Sequence, residues 1–181
     1  LKLDRIIRAI IGKEGEEGFE YSELKMEFRV TKTETSDPNE CNFTITNLNQ
    51  DSRNKITEND LVLLLYAGYA NDTGDELIFK GDITNANNNI QRPEVITTVV
   101  ASDGERKLNN TKVSYSFKEG ASVSQVLDKV FKKFGLPIKT KSLLEPLKKV
   151  KFNNGNAFIK KKKKALDILF AGVGMEWSIQ N

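Results

Sequence analysis

In YSELKMEFRVTKT, Leu24, Met26, Phe28 and Val30 alternate with Lys25, Glu27 and Arg29. Successive side chains of a strand point to opposite faces, so this spacing predicts a strand with one solvated side. ECNFTITNL repeats the pattern, with Cys41, Phe43 and Ile45 inward and Asn42, Thr44 and Thr46 outward. SDPNE between them is turn chemistry, because Pro presets one backbone angle while Asp and Asn bond to nearby backbone. Further strands are expected at LVLLLYAGY, at ELIFKGDIT after the turn NDTGD, and at EVITTVVASD after the Asn-rich loop NANNNIQRP. RKLNNTKVSYSF adds a possible sixth. Strands at this spacing, separated by turn signals, predict a closed barrel or a sandwich.

One strand breaks the pattern. In LVLLLY, Leu61, Leu63 and Leu65 point one way, and Val62, Leu64 and Tyr66 point the other. Both faces are apolar, and a large uncovered apolar patch would favour aggregation. The second face is expected to meet a neighbouring subunit or a helix of the same chain, Ser122–Phe134 being the best placed. Just upstream, QDSRNKIT has room for a single helical turn, with Asp51 or Ser52 as its cap.

Near residue 117 the period changes from two to helical. Ser122-x-x-Gln125 fits a capping box, and Val123, Val126, Leu127, Val130, Phe131 and Phe134 follow at helical spacing before Gly135. A second helix is expected in KKKKALDILFAGVG, with Ala165, Leu166, Leu169 and Phe170 on one face, followed by a strand-like MEWSI. The expected organisation is therefore α+β: an antiparallel β-barrel or sandwich over residues 1–104, then a small α/β domain over residues 105–181. Lacking an initiator Met and ending on strand-like sequence, the chain reads as a fragment, its second domain incomplete at the C-terminus.

Composition narrows the chemistry. The 181 residues contain no histidine and one cysteine, Cys41. This removes the commonest general base, any intrachain disulfide and any cysteine zinc site. Cys41 lies on the inward side of its strand and reads as a small hydrophobe. Asp60, Asp82 and Asp103 fall at strand edges or turns, where Asp serves the local backbone, and no two carboxylates are placed across one cleft. No catalysis, metal or cofactor is expected. No run approaches the roughly 20 apolar residues that a membrane-spanning helix needs. Net charge is +3, from 28 Lys/Arg against 25 Asp/Glu, too even to argue a phosphate-binding face. Lys160, Lys161, Lys162, Lys163 and Lys164 stand out as a possible patch for nucleic acid or another anionic partner, or as a solvated first helical turn. No aromatic residues suited to stacking bases are interleaved with them.

Three short motifs resemble the baseplate hub proteins of bacteriophage tails and related contractile injection systems. The first is N-L-x-x-x-x-R-x-x-I-x-x-x-D-x-V, from Asn47 to Val62, leading to Ala67-Gly68-Tyr69. The second is Ile78-Phe79-x-Gly81-x-Ile83. The third is Ser102-Asp103-Gly104 with Phe117-x-x-Gly120 before the amphipathic helix. ALDILFAGVGMEWSIQN is also similar to a later hub segment in which a short helix precedes a Trp-containing strand. The lysine run departs from that pattern, which is rich in small residues there.

The resemblance implies a tail-tube-like barrel for residues 1–104 and a homotrimeric ring in the virion, assembled in the bacterial cytoplasm. Its implied partners are copies of itself, the tail tube and the central spike, with DNA or effector passing through the lumen without sequence-specific binding. Val62, Leu64 and Tyr66 are then the expected interface. The faces Lys25/Glu27/Arg29 and Asn42/Thr44/Thr46 are candidates for lumen or solvent.

Overall fold

The computed structural model describes residues 4–72, 74–104, 112–135 and 145–178. The chain divides into two compact units, residues 1–105 and residues 106–178.

The first unit holds β1 (Arg5–Lys13), β2 (Phe19–Tyr21), β3 (Met26–Thr31), β4 (Glu40–Thr46), α1 (Gln50–Ile56), β5 (Leu61–Tyr69), β6 (Gly74–Gln91) and β7 (Glu94–Ser102). The seven strands form one antiparallel sheet in the order β2-β1-β5-β6-β7-β4-β3. Its inner face carries a single core. Ala9, Ile11, Cys41, Phe43, Ile45, Leu63, Leu65, Val99 and Ala101 are all buried there, joined by Leu48 and by Ile56 of α1.

The expected closed barrel is corrected. The edges of the sheet are β2 and β3, which are consecutive in sequence, and no ladder joins them among the described residues. β2 is three residues long and, among the described residues, pairs only with β1. Residues 22–25 turn the corner, so Tyr21 and Met26 lie at most about 17 Å apart, five extended residues. The sheet is rolled around its core with an unpaired seam.

Two further expectations change. NANNNIQ is not a loop: β6 continues through it to Gln91, paired with β7 from Asn85↔Val100 to Gln91↔Glu94. Asn disfavours strands intrinsically, but pairing with a partially buried strand overrides that preference. β1 and β2, unforeseen from the pattern, complete the sheet. The cap of α1 is Asn49, whose side chain accepts from Ser52 N–H at 2.8 Å, rather than Asp51 or Ser52.

The second unit contains β8 (Lys112–Phe117), α2 (Val123–Phe134), a 3-10 turn (Pro146–Lys149), β9 (Asn156–Lys161) and α3 (Lys162–Ala171). β8 and β9 form a two-stranded antiparallel ribbon. The apolar stripe of α2, Val123, Val126, Leu127, Val130 and Phe134, is buried as its spacing predicts, and Gly135 closes the helix with a left-handed φ of 65°. The capping box does not form: Ser122 makes no side-chain cap, and its Oγ instead lies 3.4 Å from the Lys148 carbonyl it donates to. α3 buries Ala165, Leu166, Leu169 and Phe170. The half-buried Trp177 stacks on Phe170 at 6.4 Å between centroids and donates Nε1–H to Asp167 at 3.2 Å. Residues 175–178 are not a strand, and Ile179 to Asn181, like residues 106–111 of the proposed sixth strand, lie outside the described residues.

Candidate assembly surface

The pairing register of β1, β5 and β6 fixes which side chains share the second face. Gly12↔Val62, Ile10↔Leu64 and Arg8↔Tyr66 are cross-strand pairs on one side. On the other, Val62 faces Asp82, Leu64 faces Lys80, and Tyr66 faces Leu77. A bulge at Leu65/Tyr66 leaves Ile78 as the extra residue of β6. That extra residue resets the alternation, so Ile78 packs on the core and Leu77 turns outward, 49% exposed.

The second face therefore carries Ile10, Val62, Leu64, Tyr66 and Leu77 as one apolar panel, none of them fully buried. Charged groups border it. Arg8 donates from Nε to Asp75 at 2.5 Å and from Nη1 to Glu20 at 3.3 Å, and its guanidinium lies over the Tyr66 ring, 4.1 Å from the centroid. The Asp75 hydrogen bond, more than the other contacts, raises the Arg8 pKa above its ordinary value. The arginine thus shields one end of the panel, and Ile10 also lies close to Gly18, while Ile10, Val62 and Leu64 all remain partly exposed.

The same face changes character across β6. A second bulge, at Ile83/Asn85, shifts the register again, and Thr84 Oγ1 donates to the Val100 carbonyl at 3.1 Å. Beyond it, Asn87↔Thr98↔Thr44↔Glu27 and Asn85↔Val100↔Asn42↔Arg29 run as cross-strand rows. Amides and hydroxyls dominate the middle of this second panel, and charge borders it at Glu27 and Arg29 of β3, Glu40 of β4 and Asp82 of β6. Thr46, from the same alternation, is buried.

The sequence motifs resolve into structural devices. Leu48 and Ile56 are core, while Asn47 adopts φ 61° and exchanges bonds with Val95, donating N–H at 2.7 Å and accepting through Oδ1 at 2.9 Å. Gly81 has no room for a Cβ, which would fall 2.7 Å from the Phe79 ring and 2.8 Å from Ser102 backbone. Asp103 is 2% exposed and receives both the backbone N–H of Asn39 (3.0 Å) and its Nδ2 (2.8 Å). Asp103 N–H donates back to the Asn39 carbonyl at 3.1 Å.

The lysine run spans two elements. Lys160 and Lys161 end β9, their side chains on opposite faces of the ribbon, and Lys162, Lys163 and Lys164 open α3. Lys162 donates to the Phe134 carbonyl at 2.7 Å, satisfying the C-terminal end of α2. Among the described residues no group of three acidic, histidine or cysteine side chains is arranged for a metal, and no helix is long and apolar enough to cross a membrane.

The rolled sheet with its appended α/β unit has a counterpart among solved structures. The prophage MuSo2 43 kDa tail protein from Shewanella oneidensis superposes with a TM-score of 0.62 at 14% identity, over 97% of this chain and 50% of that one. The chain thus spans half the length of that tail protein. A tail protein from Neisseria meningitidis MC58 gives 0.45 at 10% identity, covering 72% of this chain and 34% of the other. A Francisella PdpA–VgrG complex, lidded, gives 0.47 at 12%, covering 88% and 24%. No curated protein matches the sequence. The fold is that of a phage tail protein, mixed α+β and mostly strand.

The family model of baseplate hub gp41 matches residues 6–161. The chain belongs to that family of tail-associated structural proteins, and hence of virion components.

Proposed function

We propose that the chain forms part of the wall of a homotrimeric hub ring that joins the tail tube to the central spike. It works by assembly, without catalysis. The observation that carries this reading is the apolar second face of β1 and β5: Ile10, Val62 and Leu64 are paired within the sheet, partly exposed, and outside the buried core of the first unit among the described residues. A ring of subunits supplies the missing dry neighbour, since closed cyclic contacts bury such a patch without leaving free ends. The Asn/Thr panel of β6, β7 and β4 suits a lumen. Uncharged amides and hydroxyls release no counterions from phosphate, so DNA slides past them without being held.

The test is molar mass in solution as a function of concentration, for the wild type and for Leu64→Asp. The wild type is expected to associate and the variant to remain monomeric with an unchanged circular dichroism spectrum. A wild type that is monomeric at every concentration, or a folded variant that associates as well as the wild type, defeats the proposal.

A further inference from the structure

The near-neutral net charge conceals a divided molecule. Residues 1–105 carry 11 Lys/Arg and 20 Asp/Glu, a formal −9, while residues 106–178 carry 17 Lys/Arg and 5 Asp/Glu, a formal +12. Charges of this size produce long-ranged fields at low ionic strength, and they favour contact between unlike surfaces.

Each half concentrates its charge beside exposed apolar groups. In the basic unit, a surface groove of about 620 Å³ is lined by Ser114, Tyr115, Ser116, Lys133, Phe158 and Ile159. Ile159 is 75% exposed on the outward side of the ribbon. Lys112 and Lys161 are cross-strand partners on that same side, two residues from Ser114 and Ile159. Like charges placed directly opposite destabilise a ribbon, and an anionic partner would relieve that repulsion. Lys129 stands one helical turn before Lys133 on α2, exposed. In the acidic unit, the β1–β2 hairpin presents Glu14, Glu16, Glu17, Glu20 and Glu23, all exposed, around the half-exposed Phe19.

We infer that the acidic β1–β2 hairpin of one copy docks in the basic groove of the second unit of another copy. The contact is heterologous, so it orders subunits head to tail around a ring. It uses none of the apolar panel residues Val62, Leu64 and Tyr66, although it rests on the reading that the chain self-associates.

Charge swapping tests it on the full chain. Lys112→Glu/Lys129→Glu/Lys161→Glu reverses the charge bordering the groove while leaving its lining residue Lys133 in place, and Glu16→Lys/Glu17→Lys/Glu23→Lys reverses the hairpin. All six positions are exposed, so the fold should survive, as checked by circular dichroism. Sedimentation at about 50 mM salt, where screening is weak, is expected to show each triple variant associating at least about tenfold more weakly than the wild type. The chain carrying all six substitutions, whose net charge returns to +3, is expected to regain association. Failure of the six-fold variant to recover overturns the inference, as does wild-type association indifferent to salt up to about 0.5 M. Retention of a 30-nucleotide DNA strand by the wild type, lost in the groove variant, would assign the groove to nucleic acid and likewise overturn it. Leu64→Asp in the same assay separates the two contacts. Loss of association there, with charge reversal silent, sinks the hairpin docking and leaves the apolar panel standing.

Discussion

Asp103→Ala should be among the most damaging single changes in the first unit. Asp103 lies at the end of β7 and Asn39 just before β4, 64 residues away in sequence. The carboxylate accepts the Asn39 backbone N–H and Nδ2–H, both buried. Truncation removes two buried hydrogen bonds to a carboxylate, each contributing about 1.5–3 kcal/mol. Allowing for overlap between them, a loss of about 3–4 kcal/mol is expected.

Asp103→Asn is a sharper probe. Its single carbonyl can satisfy one donor, but its amide nitrogen then confronts Asn39 Nδ2. Turning the Asn39 amide over is opposed, because its Oδ1 accepts from Thr33 N–H at 2.7 Å. A cost of about 2 kcal/mol is expected, despite the near-identical shape. Urea unfolding followed by far-ultraviolet circular dichroism reports the sheet. The single tryptophan, Trp177, lies in the second unit and reports that unit apart. With an m-value of about 1.5 kcal/mol/M, the alanine variant should lower the sheet's midpoint by about 2 M. A shift under about 0.5 M would show that the paired bonds contribute little and refute the reasoning.

Two other expectations concern the core. Gly81→Ala places a methyl group against the buried Phe79 ring and Ser102 backbone, and overpacking of this kind costs about 1–3 kcal/mol. An unchanged melting temperature would contradict it. Cys41 is fully buried, and desolvation, with a smaller contribution from Glu40, pushes its thiol up to about 12. It should resist a disulfide reagent at pH 8 in the folded protein and react in urea; equal rates in both would refute its burial. The linked stability has a definite sign. The unfolded thiol ionises first, so the contribution is intact below pH 9.0 and is lost as pH rises through about 12, and the advantage of the wild type over Cys41→Ala should shrink across that window.

Much of this architecture is legible in the sequence wherever one face is wet and the other dry. The alternation in β3 and β4 identifies Met26, Cys41, Phe43 and Ile45 as inward, and the spacing in α2 identifies its buried stripe. β1 escapes because RIIRAIIGK carries Ile6/Ile7 and Ile10/Ile11 doublets, which have no clean period. Those doublets arise from the same cause as the LVLLLY run they pair with: both strands are apolar on two faces. The doublets were the available signal for Ile10, and through it for the extent of the assembly panel. The Asn-rich end of β6 is invisible to propensity because pairing with β7 imposes its form. The open seam depends on which strands end at the sheet's margins, a long-range matter that local patterns do not encode. Charge division also escapes a whole-chain tally, since opposite excesses cancel.

The corner at residues 22–25 links the two margins of the sheet and lies outside its strands, tied to β4 through the Lys25 carbonyl, which accepts from Thr46 N–H at 3.0 Å. A protease cut there would sever the covalent path yet leave all six ladders whole, so the nicked protein should hold together as two interlocked peptides. New termini introduced at that corner would meet the same tolerance, marking the place where the gene could be rewired to begin with β3.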